Sequence, residues 1–146
     1  MSRIYWIEDE IDRLEGTREL LEDLVGAFEV WTLSNAKQAQ QAVDLIKADG
    51  GPIILDLMIP TGDPALPAHR QRGPEVGLSL LRDLQSSLGA DWPVFIVSGN
   101  ISFDIKETLI ERFGIPIGRI FTKPLNAKNE LLVEQVVAAA DRFGRR

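Results

Sequence analysis

The sequence predicts an α/β protein, a doubly wound sheet of five parallel strands with five helices packed on its two faces. Three observations carry that expectation. Short apolar runs alternate with segments of helical periodicity along the chain, the runs being "IYWI" (4–7), "FEVWTL" (28–33), "PIILDL" (52–57), "PVFIVS" (93–98) and "RIFTK" (119–123). Strong βα alternation implies parallel pairing, and right-handed crossovers place helices on both sheet faces. The central runs are also nearly continuous in apolar residues, as suits strands covered on both sides.

The elements come in this order. "IYWI" leads into "DRLEGTRELLEDLVGAF", where Leu14, Leu20, Leu21, Leu24 and Val25 form a stripe at roughly 3.6-residue spacing. After the second strand, Ser34-Asn35 stands where an N-cap belongs, and "NAKQAQQAVDLIKADG" reads as one helix closed by Gly50. The third helix, "PEVGLSLLRDLQSSLG", closes at Gly89, and the fourth, "SFDIKETLIERFG", at Gly114. The last, "NAKNELLVEQVVAAADRFG", has Asn126 as its cap and Leu131, Leu132, Val136, Val137 and Ala140 as its core stripe. Trp6 and Trp31 lie in strands and read as packing residues. No internal repeat, low-complexity tract or linker is visible, so residues 1–146 are expected to form one domain.

Composition excludes several function classes. There are no cysteines, which removes disulfides, thiolate zinc sites and cysteine nucleophiles. A single histidine, His69, leaves no histidine metal cluster. The net charge of −6 argues against nucleic acid as a partner, since phosphate backbones select basic surfaces. No apolar stretch approaches the roughly 20 residues that span a bilayer, and "MSRIYWIEDE" is no secretory signal, so a cytoplasmic location without membrane contact is expected.

In an open parallel sheet, ligands bind beyond the carboxyl ends of the strands. The first strand ends in Glu8, Asp9 and Glu10, the third at Asp56, the fourth in Ser98, Gly99 and Asn100, and the fifth in Thr122, Lys123 and Pro124. With the first and third strands adjacent, Glu8, Asp9 and Asp56 converge. Two like charges about 4 Å apart repel by roughly 4 kcal/mol at an effective dielectric near 20. Three carboxylates therefore need a cation, and a hard divalent ion such as Mg²⁺ fits all-oxygen ligands. With Lys123 and Ser98 opposite, these are the parts of a phosphoryl-transfer site built on a carboxylate nucleophile.

Together, "IYWIEDE", "IILDLMIP", "VFIVSGN" and "IFTKP" resemble the four signature segments of response-regulator receiver domains, in order and over essentially the whole chain. That resemblance implies a flavodoxin-like sheet of order 2-1-3-4-5 and a part in a two-component phosphorelay. It implies Asp56 as the phospho-acceptor, charged by a histidine kinase or histidine phosphotransfer protein. It further implies Glu8 and Asp9, with Asp56 and the Met58 backbone carbonyl, as ligands of Mg²⁺. Ser98 matches the hydroxyl residue that bonds the phosphoryl group, Lys123 the family's lysine, Pro124 the proline after it, and Gly99 the small residue that keeps the site open. Self-phosphorylation and autodephosphorylation at Asp56 are the only reactions implied, with no turnover of an external substrate. The expected partners are the phosphodonor protein and a downstream protein target, with a homodimer left open.

Plainer roles exist for the same residues. Glu8, Asp9 and Glu10 would also serve as first-turn acids of a helix, Asp56 as a turn acid, Lys123 as a solvated loop lysine and Ser98 as a strand-end hydroxyl. The chain departs from the receiver pattern at Ile120, where receivers usually carry an aromatic residue that rotates inward as the hydroxyl residue moves. The connection at 61–73, "TGDPALPAHRQRG" with its flanking residues, is longer than the two to six residues usual for such loops. His69 reads as a solvated loop residue, while Arg70 or Arg72 would let the loop act as a lid over the acceptor. Residues 126 to 143 form the final helix, so the chain reads as a stand-alone receiver or as a piece of a longer protein. A phosphorylation-independent interaction module on the same fold is the alternative. A Mg²⁺-dependent phosphatase is disfavoured, because the second acid of a D-x-D pair is replaced by Met58.

Overall fold

Five strands, β1 (Arg3–Ile7), β2 (Glu29–Leu33), β3 (Ile53–Leu55), β4 (Val94–Ser98) and β5 (Ile120–Thr122), pair in parallel in the order β2-β1-β3-β4-β5. They belong to a computed structural model that describes residues 3–9, 29–99, 101–125 and 128–144. The expected first helix, with Leu14, Leu20, Leu21, Leu24 and Val25, lies outside the described residues, as do Glu10, Asn100 and Asn126. Five helical segments are described: α1 (Ala36–Gln41), α2 (Val43–Asp49), α3 (Pro74–Leu88), α4 (Phe103–Glu111) and α5 (Asn129–Gly144). Short 3₁₀ turns span Ala68–Arg70 and Ile117–Arg119.

Alternation along the strands divides the core into two layers, because successive side chains leave a strand on opposite faces. Tyr5, Ile7, Ile53, Leu55 and Ile96 face α1 to α4 and pack with Ala39, Ile46, Leu80, Leu81, Leu84 and Leu109. Ile4, Trp6, Ile54, Phe95, Val97 and Phe121 face α5. The β3 and β4 residues are buried throughout, which is why their sequence reads as continuous apolar runs. Trp31, on edge strand β2, is only half-buried and is covered by the Arg3 guanidinium, 4.1 Å from its ring centroid.

Two sequence expectations need correction. The single helix expected over 35–50 is two, because the chain tightens at Ala42, whose N–H is shared between the carbonyls of Gln38 at 3.1 Å and Ala39 at 3.2 Å. Asn35 nevertheless caps the first of them, its side chain accepting from the Gln38 N–H at 2.8 Å. In α5 the buried face is Leu132, Val133, Val136, Ala139 and Ala140, whereas Leu131 is 47 % exposed and Val137 only flanks the core. A stripe of five apolar residues in a helix that is apolar over much of its circumference leaves its rotation undetermined by about one residue, and packing against Trp6, Phe95 and Phe121 decides it.

One glycine positions the turn after the central strand. A Cβ at Gly77, in the first turns of α3, would lie 2.3 Å from Leu57 Cα, and the Gly77 N–H donates to the Leu57 carbonyl at 3.2 Å. The helix thus rests directly on the backbone next to Asp56. Alanine favours a helix interior over glycine by about 1 kcal/mol, but the clash is with backbone and overpacking of this kind costs about 1–3 kcal/mol or more. With backbone at 2.3 Å the upper end of that cost applies, so Gly77→Ala should lower unfolding stability by a net of about 2 kcal/mol or more in denaturant titration. Gly118→Ala, whose Cβ would meet nothing within 4 Å, should stay within about 0.5 kcal/mol of the parent.

Candidate functional site

Sheet register brings the polar strand ends to one rim. Ile7 pairs with Leu55, Leu55 with Ile96, and Ser98 with Thr122. Beyond the strands the ladder continues by one residue: Glu8 N–H donates to the Leu33 carbonyl at 2.9 Å, Asp56 N–H to Ile7 at 3.0 Å and Lys123 N–H to Ser98 at 2.9 Å. The three charged residues are thus held by sheet backbone rather than by free loops, and their side chains meet.

At the centre, Asp56 is 4 % exposed, and Glu8 and Ser98 are buried beside it. Asp56 Oδ1 accepts from Ser98 Oγ at 2.8 Å and from the Met58 N–H at 2.9 Å, and Oδ2 accepts from Lys123 Nζ at 2.8 Å. The same ammonium donates to Glu8 Oε1. The Lys123–Pro124 peptide is cis. Gly99 leaves open space over the rim, since a Cβ there would meet nothing within 4 Å. Ile120 packs against the α1–α4 side and Phe121 points to the opposite layer, so Phe121 does not stand in for an aromatic residue at position 120.

Charge is divided unequally between the two central carboxyls. Burial, reinforced by the neighbouring Asp56, pushes the Glu8 carboxyl up to about 8, and Lys123 only partly offsets this. Burial acts on Asp56 in the same sense, yet hydrogen bonds from Glu8, Lys123 and the Met58 N–H outweigh it and hold Asp56 below the usual carboxylate range. Lys123 is likewise desolvated, but its two carboxyl partners keep its pKa above the ordinary lysine value. The two carboxyls are thus pushed in opposite directions, Glu8 toward holding its proton and Asp56 toward ionisation, with the lysine ammonium between them.

Of the two loop arginines that the sequence offered as contacts, Arg70 and Arg72, the second reaches the rim. Arg72 donates from Nη1 to the Met58 carbonyl at 3.1 Å and from Nη2 to Asp9 Oδ2. Arg70 and His69 lie in the exposed 3₁₀ turn, so within the basic cluster it is Arg72 that reaches the acids. A basic residue immediately before the Gly73-Pro74 helix start was the available signal, but only the folded loop shows which basic residue points to the rim.

Two observations bear on whether a metal suits the site. One oxygen each from Glu8, Asp9 and Asp56 lies within 4.8 Å of the others. Among the described residues, Glu8 Oε2 and Asp9 Oδ1 are buried side-chain oxygens with no hydrogen-bond partner. Orphaned buried acceptors are costly unless a donor or cation satisfies them. An all-oxygen donor set of this kind fits a hard divalent ion.

Solved structures share the fold along nearly the whole chain. A signal receiver domain from Vibrio parahaemolyticus superposes with a TM-score of 0.69 at 19 % identity, covering 98 % of this chain and 92 % of that one. A CheY-like response regulator receiver domain from Methanospirillum hungatei JF-1 gives 0.67 at 18 % identity, with 99 % and 98 % covered. A response regulator protein from Burkholderia pseudomallei, solved with a phosphorylated aspartic acid, a calcium ion and citrate, gives 0.62 at 21 % identity, with 96 % and 66 % covered. No protein-family model and no curated protein matches the sequence. At these identities the likeness is one of fold: the chain has the flavodoxin-like fold of response-regulator receivers, as the four strand ends imply.

The raised Glu8 value has a consequence for stability. Folded Glu8 keeps its proton up to about pH 8 while its ordinary value is 4.5, so the folded state holds the extra proton between these limits. Stability from this group is whole below the lower limit and is lost as pH rises through the upper one. Asp56 has the opposite sign, its contribution being lost as pH falls through its depressed value. With divalent ions chelated, the denaturation midpoint should fall as the pH rises from about 5 to about 8, and Glu8→Gln should flatten that slope.

Proposed function

We propose that the chain is a phosphoacceptor receiver of a two-component phosphorelay, in which Asp56 takes a phosphoryl group from a phosphohistidine and thereby switches protein–protein contacts. The single observation that carries this reading is the setting of Asp56: buried at the rim, with Ser98 and Lys123 on its oxygens and the orphaned oxygens of Glu8 and Asp9 beside it. A buried carboxylate whose counter-charge is a lysine able to turn toward a second anion is arranged for attack rather than for structure alone. The fold shared with receivers supports the same conclusion.

In the transfer, an Asp56 carboxylate oxygen forms the new O–P bond as the P–N bond of the phosphohistidine breaks, and the imidazole nitrogen keeps the bonding pair. Glu8, Asp9, Asp56 and the Met58 carbonyl are the groups that would hold Mg²⁺, which supplies shielding between the carboxylate and the incoming phosphoryl oxygens. Lys123 exchanges part of its pairing with Asp56 for a phosphoryl oxygen. Ser98 does the same with its hydroxyl. By analogy with other phospho-groups the modification adds about −1.5 to −2 charge, and the loops after β3 and β4 follow Ser98 and Lys123 toward it. The surface of α4, β5 and α5 then changes, and it already exposes Phe103, Ile110 and Leu131 to a partner.

This reading assigns the chain a histidine kinase or histidine phosphotransfer protein upstream and a protein target downstream. It assigns no turnover of an external substrate, residues 1–146 acting as one receiver domain, and a place in the cytoplasm. Among the described residues no helix is long and apolar enough to cross a membrane. The net charge of −6 argues against nucleic acid as the principal partner.

Acetyl phosphate or beryllofluoride with Mg²⁺ should change the amide spectrum of the chain around β4, β5 and α5, with no response from Asp56→Asn. Lys123→Ala should slow phosphorylation by about 10²-fold, the scale of losing one preorganised charge contact. An equal spectral response from the parent and Asp56→Asn would replace this reading with a phosphorylation-independent interaction module, which the aliphatic Ile120 otherwise leaves as its rival.

A further inference from the structure

If Asp9 and the Met58 carbonyl serve a divalent ion, Arg72 stands in the way. Its guanidinium already bridges the two, one nitrogen on each oxygen. A planar fork of donors suits such a pair of acceptors. We propose that Arg72 is a built-in competitor for the divalent ion, so that the 61–73 loop sets how much Mg²⁺ the acceptor site needs. This inference rests on the proposed function.

The loop is built to deliver this one side chain. Arg72 pairs with Pro60 in an antiparallel bridge, and the Thr61 N–H donates to the Gln71 carbonyl at 2.7 Å. Gln71 ties the loop to itself: its Nε2 donates to the carbonyls of Asp63 and Leu66, both at 2.7 Å, and its Oε1 accepts from Thr61 Oγ1 at 3.1 Å. The far stem is fixed to α1, where the N–H groups of Ala36 and Lys37 donate to the carbonyls of Pro60 and Thr61 at 2.9 and 3.0 Å. Without these ties, a connection of this length would have no reason to return Arg72 to the rim of the sheet.

The contact is also made to be exchanged. The Arg72 side chain is 45 % exposed while that of Asp9 is 15 % exposed, and a partly exposed ion pair contributes little beside a dication among carboxylates. The backbone bridge holds residue 72 in place whether or not its side chain is bound. Ion entry therefore requires the guanidinium to swing outward, and requires no unfolding of the loop. Asp9 Oδ1 and Glu8 Oε2, which Arg72 does not cover in these contacts, remain as the entry point for the ion.

The test is a Mg²⁺ titration of the full chain, followed by calorimetry and by the arginine side-chain N–H resonances, for the parent, Arg72→Ala and Arg70→Ala. Losing a partly exposed competing pair should tighten Mg²⁺ binding by about five-fold in Arg72→Ala. Arg70→Ala, with the same change in net charge, should stay close to the parent. In the parent, Mg²⁺ should shift the Arg72 side-chain resonance while the Thr61 amide keeps its protection from exchange. Equal affinities in all three proteins, or equal gains in both variants, would overturn the competitor and leave the receiver reading standing. A failure of all three to bind Mg²⁺ would overturn both.

Discussion

Like charges gathered at the end of an apolar sheet repel, and their desolvation makes the repulsion worse. The rim of this sheet holds three carboxylates, and everything around it answers that cost. Lys123 stands between Glu8 and Asp56, Arg72 covers Asp9, and burial beside Asp56 strengthens the hold of Glu8 on a proton. Among the described residues, Glu8 Oε2 and Asp9 Oδ1 still lack a hydrogen-bond partner. A site balanced in this way is poised: a further cation satisfies the orphaned oxygens, and a further anion finds a lysine and a hydroxyl already facing it.

Backbone holds the groups in position against their repulsion. Because β1, β3 and β4 lie side by side with their ends level, the residues after Ile7 and Leu55 cannot spread apart without breaking the last rungs of the ladder. From below, α3 presses on Leu57 through the bare Cα of Gly77. The buried side chains of Leu57 and Ile59 anchor the chain on either side of Met58. Asp56, Ser98 and Lys123 thus all sit on sheet backbone and touch one another through side chains. Under the proposed function, a change at Asp56 is felt first by those side chains.

Ile120 and the long loop give this chain its individual character within the fold. A receiver with an aromatic residue at the Ile120 position can couple hydroxyl movement to a ring. Here an aliphatic side chain packed against the helical layer stands at that position, so under the proposed function movement of Ser98 would meet packing rather than a ring. The loop, in turn, places an arginine on the acidic cluster that short connections would leave open to water. Both features act on the same few ångströms of the rim.

Much of this was legible in the sequence, and the reasons differ from residue to residue. The strands show as apolar runs because burial on both faces permits nothing else, and Asp56 stands out because an acid ending such a run needs a counter-charge. Helix termini at Asn35 and Gly50 were equally plain, since capping is local chemistry. The break at Ala42 and the rotation of α5, which turns Leu131 outward, were not. Alanine-rich and broadly apolar helices look alike at every register, and the opposing layer chooses among them. Arg70 and Arg72 were both candidates to cover the rim, and nothing in their order distinguished the one that reaches Asp9. The sequence by itself thus determined the layers, the parallel sheet and the identity of the charged strand ends, because periodicity and burial are written in neighbouring residues. Which of those charges touch, which oxygens go without a partner and which arginine covers them were decided only by tertiary structure, because such contacts join residues up to 115 positions apart and depend on the path of the backbone between them.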